Sequence, residues 1–128
     1  MIYVDTSIVI AGLLGENKSP PDRLWRSRLV SSQLLEFETW TRMNTLGLAA
    51  RMQQDINNII DKIDLIELSP NTLQRIYKPF PKPVRSLDAI HLASMTYMSD
   101  IEPALALASY DARMNEAAVA LGFILYDL

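Results

Sequence analysis

The sequence predicts an α/β protein, a three-layer α/β/α sandwich around a mainly parallel sheet. Short apolar runs alternate with helical patterns from one end of the 128 residues to the other, as strands joined by crossover helices do. The strand-like runs are continuously apolar, the composition of strands covered on both faces. No internal repeat, low-complexity stretch or linker interrupts the pattern, so residues 1–128 read as one domain, and 49% hydrophobic residues supply its core.

Ile2-Tyr3-Val4 is a buried strand that runs into a turn and a helix start at Asp5-Thr6-Ser7. Ile8 to Leu14 form a short helix that stops near Gly15, and Pro20-Pro21-Asp22 opens another carrying Leu24 and Trp25. Leu29-Val30-Ser31 is the second strand. Ser32 caps the next helix, which holds Leu34, Leu35, Phe37 and Trp40. Ala49, Met52, Ile56, Ile59, Ile60 and Ile63 recur at steps of three and four, an amphipathic helix. Leu65, Ile66 and Leu68 make the third strand, and Ser69-Pro70 reads as a cap with proline at the first helical position. Lys78 to Pro83 holds three prolines and is a loop. Ser86 starts a helix with Leu87, Ile90, Ser94 and Tyr97 along one stripe. Ala104 to Ser109 is a central strand. The last helix begins near Asp111, carries Met114, Ala117, Ala118 and Leu121, and stops at Gly122 before a closing strand, Phe123 to Tyr126.

Composition excludes several chemistries. Without cysteine there is no disulfide framework, thiolate zinc site or cysteine nucleophile, and the single histidine, His91, defeats any scheme that needs two. A metal would have to be held by carboxylates, which points to Mg²⁺ or Mn²⁺. The net charge of −3 argues against a basic nucleic-acid reader. That argument weakens if four of the 15 acids are metal ligands, because the 12 basic residues then outnumber the rest. The apolar N-terminus contains Asp5 and lacks a basic leader, and no run approaches the roughly 20 apolar residues of a membrane span. The expectation is a cytoplasmic protein without membrane contact.

Ligands of open α/β sheets bind beyond the carboxyl ends of the strands. Asp5 follows the first strand, Asp111 follows the Ala104–Ser109 strand after one residue, Asp88 lies in the first turn of the Ser86 helix, and Glu36 or Glu38 comes early in the helix after the second strand. Carboxylates gathered at one edge repel one another unless a cation is present. A divalent metal that acidifies a bound water and clamps phosphodiester oxygens is the economical explanation. The blander reading of Asp5 and Asp111 is a helix N-cap, and of Asp88 a favourable interaction with the helix dipole.

The segments Met1-Ile-Tyr-Val-Asp-Thr-Ser7, Ser32-Gln-Leu-Leu-Glu-Phe-Glu38, Arg85-Ser-Leu-Asp-Ala-Ile-His-Leu-Ala93 and Ser109-Tyr-Asp-Ala-Arg113, with Ala117-Ala118 and Leu121-Gly122 after them, resemble the PIN-domain family. More narrowly they resemble the VapC toxins of toxin–antitoxin pairs. The resemblance implies a PIN-like parallel sandwich with the first strand central, and a Mg²⁺- or Mn²⁺-dependent endoribonuclease. It carries the acids over as Asp5, Glu38, Asp88 and Asp111. Asp5 and Asp88 would be core metal ligands, completed by Asp111 and Glu38. Thr6 and Ser109 match hydroxyl positions that orient ligands or water. It also implies an RNA substrate, a cognate antitoxin laid over the active-site groove and a homodimer.

Glu36 and Glu38 face about 200° apart on a helix and cannot both point at one site. Periodicity leaves the choice open, and the family spacing favours Glu38. His91 lies one turn from Asp88 and reads first as a packed or hydrogen-bonded side chain, against a role at a phosphate. Arg85 reads equally as a phosphate contact or a surface arginine. Trp25 and Trp40 read as cover for a helix face before base-stacking platforms. Leu13, Leu14, Leu24, Trp25, Leu35, Phe37, Trp40 and Met43 together exceed what one face of a small sheet buries, so part of that surface forms a groove for an amphipathic helix. Asp55, Asp61, Asp64 and Asp100 read as solvated. Two rival readings are a catalytically silent PIN module and a phosphoacceptor receiver-like domain, the latter disfavoured because no lysine follows the Ala104 strand.

Overall fold

The computed structural model describes residues 1–15 and 17–128. Strands β1 (Ile2–Val4), β2 (Leu29–Ser32), β3 (Ile63–Ile66), β4 (Ala106–Ala108) and β5 (Ile124–Leu125) form one sheet in the order β3-β2-β1-β4-β5. Every pairing is parallel, with Ile2 opposite Leu29 on one side and Ala106 on the other. The "mainly parallel" sheet is thus parallel throughout, with β1 at its centre.

Helices α1 (Thr6–Leu14), α2 (Asp22–Trp25), α3 (Leu34–Thr45) and α4 (Gln53–Ile60) lie among the first three strands in sequence, and α5 (Ser86–Ser99) and α6 (Ala112–Ala120) follow. Strand alternation sorts the central strand between two cores. Ile2 and Val4 pack with Ile8, Leu35, Ile56 and Ile60 from the early helices. Tyr3 points the other way, to Leu92, Met95, Met114 and Ala118 of α5 and α6. These are the two outer layers of the sandwich. Among the described residues, no helix is long and apolar enough to cross a membrane.

Several boundaries differ from the sequence reading. The amphipathic pattern from Ala49 to Ile63 is helical only over Gln53–Ile60. Ile63 instead opens β3, so that strand covers residues 63–66 rather than 65–68. Periodicity cannot distinguish a helix from the turn and strand that prolong its apolar stripe. Ser69-Pro70 starts no helix. The Ser69 and Thr72 hydroxyls bond local backbone, Thr72 Oγ1 donating to Glu67 O at 2.7 Å, and a single 3-10 turn follows at Gln74–Tyr77. Of the stripe Leu87, Ile90, Ser94, Tyr97, only Ser94 is buried. His91, Leu92, Ala93, Ser94 and Met95 are buried, whereas Leu87 is 49% exposed. The closing strand shrinks to two exposed residues, Ile124 and Leu125. Asp55, Asp61, Asp64 and Asp100 are exposed, as read.

The topology fixes where a ligand can bind. From β1 the chain moves outward through β2 and β3, and α5 then returns it to β4 on the opposite side of β1. The strand order therefore reverses between β1 and β4, and their carboxyl ends flank the crevice of the sheet.

Candidate active site

Asp5 and Ser109 are the first residues beyond β1 and β4. Asp5 is buried at 4% exposure, and hydroxyls surround its carboxylate. The Ser7 hydroxyl donates to Oδ1 at 2.5 Å and the Ser7 backbone N–H to the same oxygen at 3.1 Å. The Ser109 hydroxyl donates to Oδ2 at 2.5 Å. Ser109 also accepts the backbone N–H of Asp111 at 2.9 Å, and Ser7 accepts that of Tyr110 at 2.9 Å. The β4–α6 turn is thereby fastened to the start of α1, with Asp111 beside Asp5. Burial pushes the Asp5 carboxyl above its ordinary value, the negative charge of Asp111 adds to the rise, and the serine hydroxyls and His91 oppose it.

The N-cap readings of Asp5 and Asp111 are correct as far as they go. Asp5 caps α1 through the Ser7 N–H. Asp111 caps α6, its Oδ1 accepting from Arg113 N and Met114 N at 3.0 and 3.3 Å. Capping leaves Oδ2 of Asp111 without a hydrogen bond among the described residues.

Glu38 reaches the crevice from α3. The Ser32 hydroxyl accepts the Leu34 N–H at 3.1 Å and so starts that helix where β2 ends. One turn on, Glu38 Oε1 accepts the Thr6 hydroxyl at 2.7 Å and stands 2.7 Å from His91 Nε2. Burial acts to raise the Glu38 carboxyl, but the His91 and Thr6 contacts outweigh it and hold the group below its ordinary value. Glu36 makes none of these contacts. Geometry therefore sets Glu38, and not Glu36, against Thr6 and His91, a choice that helical periodicity left open.

The structure does not draw all the predicted residues together. Asp88 is half-buried in the first turn of α5, one turn before His91, and its carboxylate makes no hydrogen bond among the described residues. Arg85 is exposed just ahead of the same helix and forms no ion pair among them. No three Asp, Glu, His or Cys side chains among the described residues stand close enough to enclose a metal ion. Asp5 and Asp111 are neighbours at the strand ends, and Asp88 comes from the first turn of α5.

The donor chemistry nevertheless fits a hard cation. All candidate ligands are oxygens, and the one buried carboxylate, Asp5, has hydroxyl neighbours and no basic ion-pair partner among the described residues. Mg²⁺ typically keeps several waters and binds through one or two carboxylates, so it needs no closed protein cage. Asp5 and Asp111 would hold such an ion, with Asp88 and Glu38 at its margins.

Two residues of the site were missed in the sequence. Ser7 had a legible signal, because Asp-x-Ser at a helix start favours an Asp side chain turned onto the Ser N–H. Tyr3 had a weaker one: a phenol in a central strand must find a partner when buried. Its hydroxyl stands 2.7 Å from His91 Nδ1 and accepts the Ser32 N–H at 3.0 Å. His91 is buried and hydrogen-bonded, as first read, but its partners are Tyr3 and Glu38.

A groove of about 980 Å³ adjoins Glu38 and Thr6, with Ile10, Leu14, Phe37 and Leu87 among its walls. Of the eight residues assigned to such a surface, only Leu14 and Phe37 line it. Leu24, Leu35 and Met43 are core, and Trp25 and Trp40 pack half-buried against that core as helix cover.

Known proteins resemble this chain along nearly its whole length. Ribonuclease VapC35 of Mycobacterium tuberculosis is 31% identical over 130 aligned positions, covering 94% of this chain and 92% of the relative. Ribonuclease VapC46 of the same organism is 30% identical, with 94% and 92% covered, and Ribonuclease VapC47 is 28% identical, with 97% and 94% covered. The PIN domain model matches residues 2–120, a span that holds all four candidate acids and both sides of the crevice, and the chain belongs to the PIN-domain family.

Proposed function

We propose that this protein is a Mg²⁺- or Mn²⁺-dependent endoribonuclease and the toxin of a toxin–antitoxin pair. The observation that carries the reading is the pairing of Asp5 and Asp111 through Ser109 at the switch point of the sheet, with Glu38 adjoining. Kinship with ribonucleases over nearly the whole chain supports the substrate class.

Asp5 and Asp111 would hold the cation, with Asp88 as a further ligand from α5 and Glu38 completing the acidic rim. When bound, a divalent ion supplies positive charge for the phosphate oxygens and makes water a better nucleophile. The chain's own residues do the rest. Ser7 and Ser109 fix both oxygens of Asp5, so its carboxylate is oriented before ligand arrives. Thr6 does the same for one oxygen of Glu38. Arg85, exposed at the start of α5, steadies a substrate phosphate. The reaction requires no protein nucleophile, in keeping with a chain that has no cysteine.

The apolar groove beside Glu38 suits an amphipathic helix of the antitoxin, with a basic side chain of that segment reaching the acids. A homodimer working in the cytoplasm completes the proposal. The test is incubation of purified protein with mixed RNA in Mg²⁺ or in EDTA. Internal cleavage that needs the metal is expected. No cleavage under either condition, with partner binding intact, leaves a docking module instead.

A further inference from the structure

The most elaborate polar arrangement in the protein lies one step behind the acids. Tyr3 is fully buried on the central strand, and its hydroxyl oxygen accepts the Ser32 N–H at 3.0 Å. The hydroxyl stands 2.7 Å from His91 Nδ1, the two rings meeting edge to face at 84°. The far nitrogen, Nε2, stands 2.7 Å from Glu38 Oε1, which also takes the Thr6 hydroxyl. Tyr3 packs with the α5–α6 core, whereas Glu38 belongs to a helix of the other layer. The chain of contacts therefore ties the two helical layers together around the carboxyl end of the sheet. Both ordered donors converge on Oε1. Oε2 accepts no hydrogen bond among the described residues, and Glu38 lines the groove.

We propose that His91 is a positioning residue that, braced by Tyr3, grips Glu38 through Oε1 and so reserves Oε2 for whatever occupies the groove. His91 is 3% exposed, too deep to touch RNA, and therefore acts only through Glu38. Burial raises the Tyr3 hydroxyl above its ordinary value, which keeps its proton available to the ring. Nε2–H must be the donor to Glu38, because a bare nitrogen facing a carboxylate oxygen at 2.7 Å would be repulsive. Removing partners that orient a metal-site carboxylate typically costs 10- to 100-fold in metal affinity or activity.

This inference rests on the nuclease reading, and the experiment separates the two. His91 is the only histidine, so a long-range ¹H–¹⁵N spectrum of the metal-free protein contains one imidazole. Protonated Nε2 is expected; a bare Nε2 overturns the proposal whether or not the protein cuts RNA. Two variants then test the grip. His91→Gln can offer an amide donor near the Nε2 position, and His91→Leu fills the space with no donor. With melting temperatures of both recorded, His91→Leu is expected to bind Mn²⁺ in the absence of RNA roughly 10-fold or more weakly, and His91→Gln within about threefold of wild type. Where RNA is cut, kcat follows the same order with KM little changed. If His91→Leu matches wild type, or a folded His91→Gln fails as badly as His91→Leu, the positioning role is wrong. If the three proteins rank in this order for Mn²⁺ but the wild type leaves RNA intact, the nuclease reading alone is refuted.

Discussion

At the scale of single residues, the buried Asp5 and the half-buried Glu38 have opposite pH dependences. Asp5 is raised above its usual 3.8 by burial, so the folded state binds its proton more tightly than the unfolded chain does. Its contribution to stability is present below that value and is lost as pH rises through the folded pKa. Glu38 is lowered from 4.5, so its contribution is present above that value and is lost as pH falls through the folded one. Asp5→Asn is therefore expected to raise the melting temperature of metal-free protein at pH 7, with the gain shrinking as the pH approaches 4. Saturating Mg²⁺ should reverse the ranking, because only a state that binds the ion gains from it. Thermal melts of both proteins with Mg²⁺ and with EDTA check this; equal Mg²⁺ stabilisation of the two would remove Asp5 from the metal site. Asp88→Asn should abolish cleavage with little loss of stability, because its carboxylate supports no hydrogen bond among the described residues. Near wild-type RNase rates in this variant would exclude Asp88. Glu38→Gln should impair metal-dependent cleavage and Glu36→Gln should not, and parallel RNA assays distinguish them.

At the scale of elements, α1 is held at both ends and pressed in the middle. Asp5 caps its start, and Gly15, at φ +60°, ends it with its N–H bonded to Ala11 O at 2.9 Å. Between them, a Cβ on Gly12 would lie 2.9 Å from Ile59 Cδ1 and 3.1 Å from the Trp25 ring. The close approach of α1 to α4 thus depends on a missing side chain. A branched residue there cannot be accommodated by a shift of Ile59 alone, so Gly12→Val should destabilise by about 1–3 kcal/mol, the usual cost of overpacking. Urea unfolding measures it, and an unchanged midpoint would show that the two helices separate freely. Helix α5 illustrates how a stripe misleads. Both faces of its first turns carry apolar residues, and only contact with β1 and β2 selects His91, Leu92 and Met95 for burial while Leu87 turns to the groove.

At the scale of the whole molecule, the groove links the acidic crevice to an exposed apolar wall. Phe37 is 50% exposed on that wall, one residue before Glu38. Phe37→Asp should leave the melting temperature nearly unchanged yet weaken antitoxin binding by 2 kcal/mol or more if Phe37 is an anchor, roughly a 30-fold rise in Kd. Calorimetric titration with the cognate antitoxin decides it, and wild-type affinity would move the interface elsewhere. Tryptophan quenching is a poor reporter here. Neither Trp25 nor Trp40 lines the groove, so partner binding need not shield either ring.

The sequence by itself determined the layer architecture and four acids just past strands or early in helices, while the central place of the first strand came only with the family resemblance. The architecture and the acids follow from local patterns: apolar runs of strand length, cap residues, and the Pro and Gly that end elements. Helix and strand limits between Ala49 and Thr72 were less legible, because an apolar stripe continues across a turn without changing its period. Only the tertiary structure decided that Glu38 rather than Glu36 meets Thr6 and His91, since that depends on the rotation of α3 against the sheet. It alone joined Asp5 to Asp111 through Ser109. It alone seated the single histidine between Tyr3 and Glu38, residues 88 and 53 positions away in the chain. Such contacts depend on the parallel register of β1 with β4 and on the return of α5 across the sheet, and no local spacing encodes either.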